Sequence, residues 1–165
     1  MRETSGATAR AITRGPTAVI TFQVDRLPAD DSEAVYLRRL HWRESGYDDE
    51  EEPNPDREQY EALDAAGLLR IYTARIEQAL VGYAVFVLYR SLHHRGRLQA
   101  MQDVLYVVPQ HRGAAAVKLL RYAEHSLRAE GVKWVYHPVK HASKVGKLLG
   151  CLGYQLINDL YAKQL

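Results

Sequence analysis

The sequence predicts an α/β protein of the α+β kind, with a mixed, twisted sheet of about six to seven strands and helices on both faces. Runs of β-branched and aromatic residues indicate strands, and they alternate with stretches whose apolar residues recur at helical spacing. A long helix over 113–130 lies between two strand-like runs, which is typical of a crossover between parallel neighbours. The 165 residues, 47% of them hydrophobic, suffice for one domain, predicted over 17–165 after a poorly ordered tail, 1–16.

Residues 18–67 are predicted to form one strand and two helices. Ala18–Val24 is rich in strand-forming residues. Apolar spacing predicts a helix that begins near Asp31 or Ser32 and ends at Ser45-Gly46. Asp56 is expected to cap a second, shorter helix that ends at Gly67.

The remaining residues are predicted to complete the sheet. Strands over 68–75 and 80–88 are separated by the turn-prone pair Glu77-Gln78, which indicates a hairpin. The elements expected after it are a strand (98–108), the long helix, a buried strand (134–139), a short helix (143–151) and a final strand pair (154–157 and 160–165).

Composition excludes several classes of protein. No run approaches the roughly 20 apolar residues of a membrane helix, and the N-terminus lacks a secretory apolar block, so we expect a cytoplasmic protein. The single cysteine, Cys151, has no metal-ligand spacing around it, and no metal is expected. Residues 44–64 carry ten acids and one base, whereas residues 85–165 carry twelve bases and four acids.

The segment Asp103–Leu120 is the most informative part of the chain. A strand passes through Pro109 into a helix that starts with Gly113 and three alanines. Such small residues leave the amide groups of the first helical turn accessible, at the positive end of the helix dipole. This pattern suits a bound anion such as a pyrophosphate. Neither a GxxxxGK[ST] loop nor a GxGxxG after a strand is present.

The stretch Gln110-His-Arg-Gly-Ala-Ala115 resembles the signature of the GNAT superfamily of N-acetyltransferases, Gln/Arg-x-x-Gly-x-Gly/Ala after a strand. The element order from residue 18 and the close, Leu149–Tyr154 with Tyr161–Leu165, also resemble this family. Tyr60–Gly67 and Leu105–Pro109 are similar to small phage-encoded members. The resemblance implies an acetyl-CoA-dependent enzyme, located in the host cytoplasm if it is phage-encoded.

The resemblance also implies how the donor binds. Strands 98–108 and 134–139 would splay apart, and the first would pair with the pantetheine arm of coenzyme A. The cofactor-binding residues carried over by position are Leu105, Val107, Val108, Gln110, Arg112, Gly113, Ala114, Ala115, Ala116 and Val117. A solvent-facing Arg112 is an equal alternative to a contact with the pyrophosphate.

An amine must lose its proton before it attacks the thioester, so a base or a water relay is needed. Asp103, the one acid between Glu77 and Glu124, matches the family's carboxylate on the strand, although a structural carboxylate is an alternative. A strand N–H would stabilise the oxyanion.

The general acid is not supplied by the motif. The family's usual tyrosine and asparagine are replaced by Leu149 and Ala142. The substitutes considered are Tyr136, His137, His141 and Tyr161, and Tyr161 is the catalytic candidate carried forward. Alternatively, the thiolate leaves without receiving a proton from the protein. Cys151 is expected to be an ordinary core residue rather than a nucleophile.

The expected partners are an acyl-CoA and an amine. The acidic loop Tyr47–Glu52 would attract a polyamine, an aminoglycoside or a lysine side chain, unless it is merely solvated. Trp42, Tyr47 and Tyr60 line a pocket or belong to the core. The alternatives are a degenerate acyl-CoA-binding protein and a nucleic-acid or host-factor binding module using Arg95, Arg97, Lys140, Lys144 and Lys147. For the oligomeric state, a homodimer is an alternative to a monomer.

Overall fold

The computed structural model describes residues 19–28, 32–45, 52–140 and 144–163. Its elements are β1 (Ile20–Asp25), α1 (Ser32–Ser45), α2 (Arg57–Ala65), β2 (Leu69–Ile76), β3 (Ala79–Arg90), β4 (Leu98–Val107), a 3-10 turn (Pro109–His111), α3 (Ala114–Ala129), β5 (Val132–Tyr136) and α4 (Lys144–Cys151). The predicted element order is confirmed through α4. The predicted tail and residues 46–51 of the acidic loop lie outside the described residues.

The five strands form one mixed sheet in the order β1-β2-β3-β4-β5. Strands β1 to β4 are antiparallel neighbours, and β4 and β5 are parallel, with α3 as the crossover. The predicted hairpin between β2 and β3 is confirmed. Both turn residues, Glu77 and Gln78, have positive φ angles, 47° and 75°, which match the twist that a two-residue hairpin loop needs.

The pairing between β4 and β5 stops before β4 ends. Their pairing runs only to Met101 opposite Tyr136, whereas β4 continues to Val107. Among the described residues, no strand therefore pairs with the rest of β4 on its β5 side. The register with β3 also breaks here, because Val85 lies opposite Val104 and Phe86 opposite Gln102, so that Asp103 is the extra residue of a bulge. Bulges of this kind redirect side chains beside active sites.

Helices cover both faces of the sheet, as predicted. On one face, Leu37 of α1 packs with Leu69, Tyr83, Val85 and Tyr106 of the strands, and α2 adds Tyr60 and Leu63. The larger core lies on the other face, where Leu119, Leu120, Ala123 and Leu127 of α3 are fully buried and Leu149 of α4 joins them. Among the described residues, no helix is long and apolar enough to cross a membrane.

The predicted count of six to seven strands is too high, because the described residues of the final pair, predicted over 154–157 and 160–165, form no strand. Residues 152–163 contain no strand, and the last backbone hydrogen bond of the described chain runs from the Tyr154 amide to Leu149 O. Leu156, Leu160 and Tyr161 are 86%, 88% and 90% exposed. Strand-forming residues give no strand where no neighbouring strand pairs with them.

Two burial predictions are also wrong. The strand expected to be buried at 134–139 occupies Val132–Tyr136, and Trp134 is 47% exposed because it lies on an edge strand. Cys151, expected in the core, is exposed at the end of α4. The core position of that helix is taken by Leu149.

Candidate active site

The turn before α3 is shaped by its glycine. Gly113 has φ 82° and ψ −104°, a backbone conformation that L residues rarely adopt. A Cβ built on it would meet nothing within 4 Å, so the glycine is required by the backbone and not by packing. The first intrahelical bond runs from Val117 N to Gly113 O, 3.1 Å.

The amides of Ala114, Ala115 and Ala116 precede this first bond and have no intrahelical acceptor. No acid lies in the first turn of α3. The three alanines differ in burial. Ala114 is exposed, whereas Ala115 and Ala116 are buried in the core. Together with the exposed Gln110 and Gly113, this end of α3 has the chemistry that an anionic pyrophosphate requires.

Arg112 is exposed, and its guanidinium makes contacts within the protein. Its Nε donates to Val107 O at 2.8 Å, and its terminal nitrogen pairs with the carboxylate of Glu44 in α1. The guanidinium lies 5.4 Å from the centre of the Tyr106 ring, and the Tyr106 hydroxyl donates to the same Glu44 at 3.0 Å. Arg112 thus joins α1 to the end of β4.

Glu44 was not found by sequence reasoning, because it lies 68 residues from Arg112 and the intervening chain carries no signal for the pairing. Burial, followed by the hydrogen bond to Glu44, raises the pKa of Tyr106 to about 12. The phenol therefore stays protonated and keeps donating to Glu44 near neutral pH.

The residues predicted to line the pantetheine arm lie where β4 has left β5. Leu105 and Val107 turn toward the core shared with α3, and Val108 reaches both cores. The Val108 amide donates to Val81 O at 2.9 Å, which fixes the end of the strand against β3. The free side of β4 and the amides of α3 are adjacent along the chain, and together they can hold an acyl-CoA.

A cavity of about 610 Å³ lies between the sheet and the helices α1 and α2. Its lining includes Trp42, Tyr60, Tyr83, Asp103 and Val104. This volume suits a small molecule. Of the two alternatives, pocket or core, Trp42 and Tyr60 both line this cavity, and Tyr60 also packs against the core of that face. Tyr47 lies outside the described residues.

Asp103 is exposed at the bulge of β4 and lines this cavity. Its Oδ2 accepts a hydrogen bond from the hydroxyl of Tyr60, which α2 supplies. Burial, and then the hydrogen bond and charge of Asp103, raise the pKa of Tyr60 far above its usual range. Tyr60 therefore remains a donor, and it fixes one oxygen of the carboxylate.

The far end of the cavity is occupied by paired charges. Thr73 Oγ1 donates to Asp25 at 2.7 Å, and Arg75 lies 3.8 Å from the same carboxylate. Glu33 accepts from Arg75 at 2.7 Å and from the Leu80 amide at 2.8 Å. These contacts join β1, α1 and the β2–β3 hairpin, so their charges support the cavity wall.

Tyr161 is not brought near Asp103. It borders a second hollow of about 1060 Å³, with Trp134, His137 and Tyr154, whereas Asp103 belongs to the first cavity. Its catalytic role stays a prediction.

The other acid candidates are placed as follows. His137 Nδ1 lies 2.5 Å from Gln102 Oε1, and burial lowers the pKa of His137 to about 4. The Tyr136 hydroxyl accepts from Gln99 at 3.2 Å. His141 lies outside the described residues.

The basic residues considered for nucleic-acid binding fall into separate groups. Arg95 and Arg97 precede β4, whereas Lys140 follows β5 and donates to the carbonyl of Ser45. Because β4 and β5 are parallel, these groups lie at opposite ends of the strand pair.

Comparison with known proteins adds independent findings. The sequence profile of the Acetyltransferase (GNAT) family matches residues 34–145. No curated protein matches the sequence significantly.

Solved structures share the fold at low identity. A ribosomal-protein-alanine N-acetyltransferase from Brucella melitensis biovar Abortus 2308 is 18% identical, with a TM-score of 0.69 over 89% of this chain and 99% of that one. A predicted acetyltransferase from Clostridium acetobutylicum, with acetyl-CoA, is 16% identical, with a TM-score of 0.69 over 88% and 96%. An aminoglycoside acetyltransferase from an uncultured soil metagenomic sample, with sisomicin, is 12% identical, with a TM-score of 0.63 over 88% and 97%.

Proposed function

Because this chain belongs to the GNAT family of acetyltransferases, we propose that it is an N-acetyltransferase that transfers the acetyl group of acetyl-CoA directly to an amine. The observation that carries the proposal is the free side of β4 beyond Met101, which leads directly to the amide end of α3. An acyl-CoA held there has its phosphates at the positive helix end. Its thioester then lies along β4, toward the bulge at Asp103.

In this proposal the amides of Ala114 to Ala116 and the turn at Gly113 bind the pyrophosphate. The charge of Arg112 is neutralised by Glu44, so the amides supply the anion affinity. Leu105, Val107 and Val108 line the arm of the donor. Acetyl-CoA supplies an activated acyl group as a thioester, and the chain's own residues position that group.

The amine acceptor occupies the cavity between α1, α2 and the sheet. There Asp103 acts as the general base, because this residue lines the cavity and lies on β4 two positions beyond the last pair with β5. The relatives named for ribosomal-protein alanine and for aminoglycosides both have names that denote amine acceptors. The proposed acceptor is therefore an amine, offered by a small molecule or by a protein.

The first test is isothermal titration with acetyl-CoA. Wild type is expected to bind it, and Gly113→Glu is expected to weaken binding by at least about 100-fold, because a carboxylate would enter the anion site. Gly96→Glu is the matched control, since Gly96 has a similar φ of 79° and equally open space at its Cβ. Equal loss in both variants, or no binding to folded wild type, would reject the donor site.

The second test is turnover with a screen of polyamines, aminoglycosides and peptides. Asp103→Asn is expected to lower kcat by about 100-fold while leaving the affinity for acetyl-CoA unchanged. Unchanged turnover in this variant would remove Asp103 from the mechanism. Binding of acetyl-CoA without transfer to any amine would favour the degenerate acyl-CoA-binding alternative, which the buried Leu149 at the tyrosine position supports.

A further inference from the structure

The proposed reaction needs a proton donor for the leaving sulfur, and this inference rests on that proposed function. When the C–S bond breaks, its electron pair stays on the sulfur of coenzyme A as a thiolate. At the position where a family tyrosine is expected, Leu149 is buried in the core at 5% exposure. The acid must therefore come from another element, or the thiolate leaves without one.

The Tyr60 hydroxyl is bonded to the proposed base. Tyr60 belongs to α2, lines the acceptor cavity and donates to Asp103 Oδ2. Asp103 is the extra residue of the β4 bulge. It follows Gln102, the first residue of β4 beyond its pairing with β5. The phenol thus lies at the proposed base, on the part of β4 that extends beyond its pairing with β5.

We propose that Tyr60 is a further catalytic residue, the proton donor to the leaving thiolate, and that Asp103 reprotonates it. The amine gives its proton to the Asp103 carboxylate as the C–N bond forms. When the C–S bond breaks, the Tyr60 O–H proton passes to sulfur. Once the carboxyl is protonated, the hydrogen bond reverses so that Asp103 donates to the Tyr60 oxygen, and the carboxyl proton reaches the phenol as the phenol proton leaves for sulfur. The products are an amide and a thiol, and both residues return to their starting states.

The direction of this transfer agrees with ordinary acidities. Carboxylic acids are in general much stronger acids than thiols, so a net transfer of a proton from a carboxylic acid to a thiolate is favourable. The raised pKa of Tyr60 means that a free phenolate does not accumulate. The phenol passes on a proton as it receives one, which is the behaviour of a relay.

Tyr161 and His137 each lack at least one of the three properties that Tyr60 combines. Tyr161 borders the second hollow and not the cavity of Asp103. His137, whose pKa is lowered by burial, is neutral near pH 7, and its Nδ1 is bonded to Gln102. Tyr60 combines a proton, a place in the acceptor cavity and a bond to the proposed base.

The test compares Tyr60→Phe with wild type in single turnovers from acetyl-CoA and from its selenoester analogue. A selenol is a much stronger acid than a thiol, so a selenolate leaves without a proton. Tyr60→Phe is expected to be slowed about 100-fold with the thioester and less than about tenfold with the selenoester. Tyr122→Phe, a tyrosine of α3 packed in the opposite core, is the matched control and is expected to react like wild type.

A second readout uses the free protein. Carbon-13 labelling at tyrosine Cζ follows the ionisation of Tyr60 by NMR, and Asp103→Asn is expected to lower its pKa, because the carboxylate no longer stabilises the phenol. An unchanged titration would overturn the relay, since the hydrogen bond would be absent in solution. Equal slowing of Tyr60→Phe with both donors, or no slowing, would also overturn it. A wild type inactive with both donors would instead reject the proposed function.

Discussion

At the scale of single residues, the two charged side chains nearest the proposed chemistry are held by the helices α1 and α2. Glu44 of α1 binds Arg112, and Tyr60 of α2 binds Asp103. The first contact neutralises a charge beside the anion site, and the second orients a base. Substitutions in α1 or α2 are therefore expected to affect both the proposed donor site and the proposed acceptor site. Neither helix contains the family signature.

His137 gives a pH dependence of stability. Burial lowers its pKa from 6.5 to about 4, so between these values the unfolded chain binds a proton that the folded protein excludes. The contribution of neutral His137 to stability is fully present above about pH 6.5. As the pH falls toward 4, the free energy of unfolding decreases by about 2 to 3 kcal/mol.

Urea unfolding at about pH 7 and about pH 4.5 measures this loss. His137→Gln is expected to abolish most of the difference, and His41, whose pKa burial also lowers, leaves a remainder. The exposed His125→Gln serves as control. A pH slope that is identical in wild type and His137→Gln would contradict the assignment.

At the scale of elements, β4 leaves no room for a side chain at Gly82 of β3. A Cβ there would lie 2.8 Å from Val107 Cγ2 and 2.9 Å from Tyr106 O, and the backbone oxygen cannot rotate away. Gly82→Ala is expected to cost about 1 to 3 kcal/mol of unfolding free energy. Gly150→Ala in α4 meets nothing within 4 Å and is expected to gain up to about 1 kcal/mol. Thermal unfolding compares the two variants, and equal stabilities would refute the close approach.

Local sequence signals predicted the elements well wherever the partner surface was also local. The cap at Asp56, whose carboxylate accepts from the Gln59 amide at 3.0 Å, and the turn at Glu77-Gln78 are set by adjacent residues. The final strands failed because 154–157 and 160–163 need a neighbouring strand, which propensity does not report. The start of β5 was missed because Val132 directly follows Gly131 and carries the only buried side chain of the strand.

For the candidate site, too, the sequence predicts the features set by adjacent residues and not the long-range contacts. The turn at Gly113 and the alanines after it form a contiguous motif, and the structure gives them the expected backbone. The partners of its charged residues were not predictable, because 43 residues separate Tyr60 from Asp103. Such pairs are fixed by how the α1–α2 layer lies on the sheet, and no local pattern encodes that.

At the scale of the whole molecule, the proposed donor and acceptor sites belong to different layers. The amides that precede the first bond of α3 stand at the end of the helix that covers one face, and the acceptor cavity lies under α1 and α2 on the other. In the proposed reaction they meet at the bulge of Asp103, beyond the last described pair of β4 with β5. Direct transfer requires such an opening, because a fully paired sheet would separate the two substrates.

The opening also predicts where a bound donor protects the backbone. Under saturating acetyl-CoA, at about 100 times its Kd, the fold should gain about 2.7 kcal/mol. Hydrogen exchange is expected to slow most over 104–108 and 113–117, where the arm and the phosphates bind, and to change little in the β1–β2 pair. Gly113→Glu should lose both protected regions. Protection of 113–117 without 104–108 would show that the phosphates bind while β4 does not pair with the arm, and the thioester would then have to lie away from Asp103.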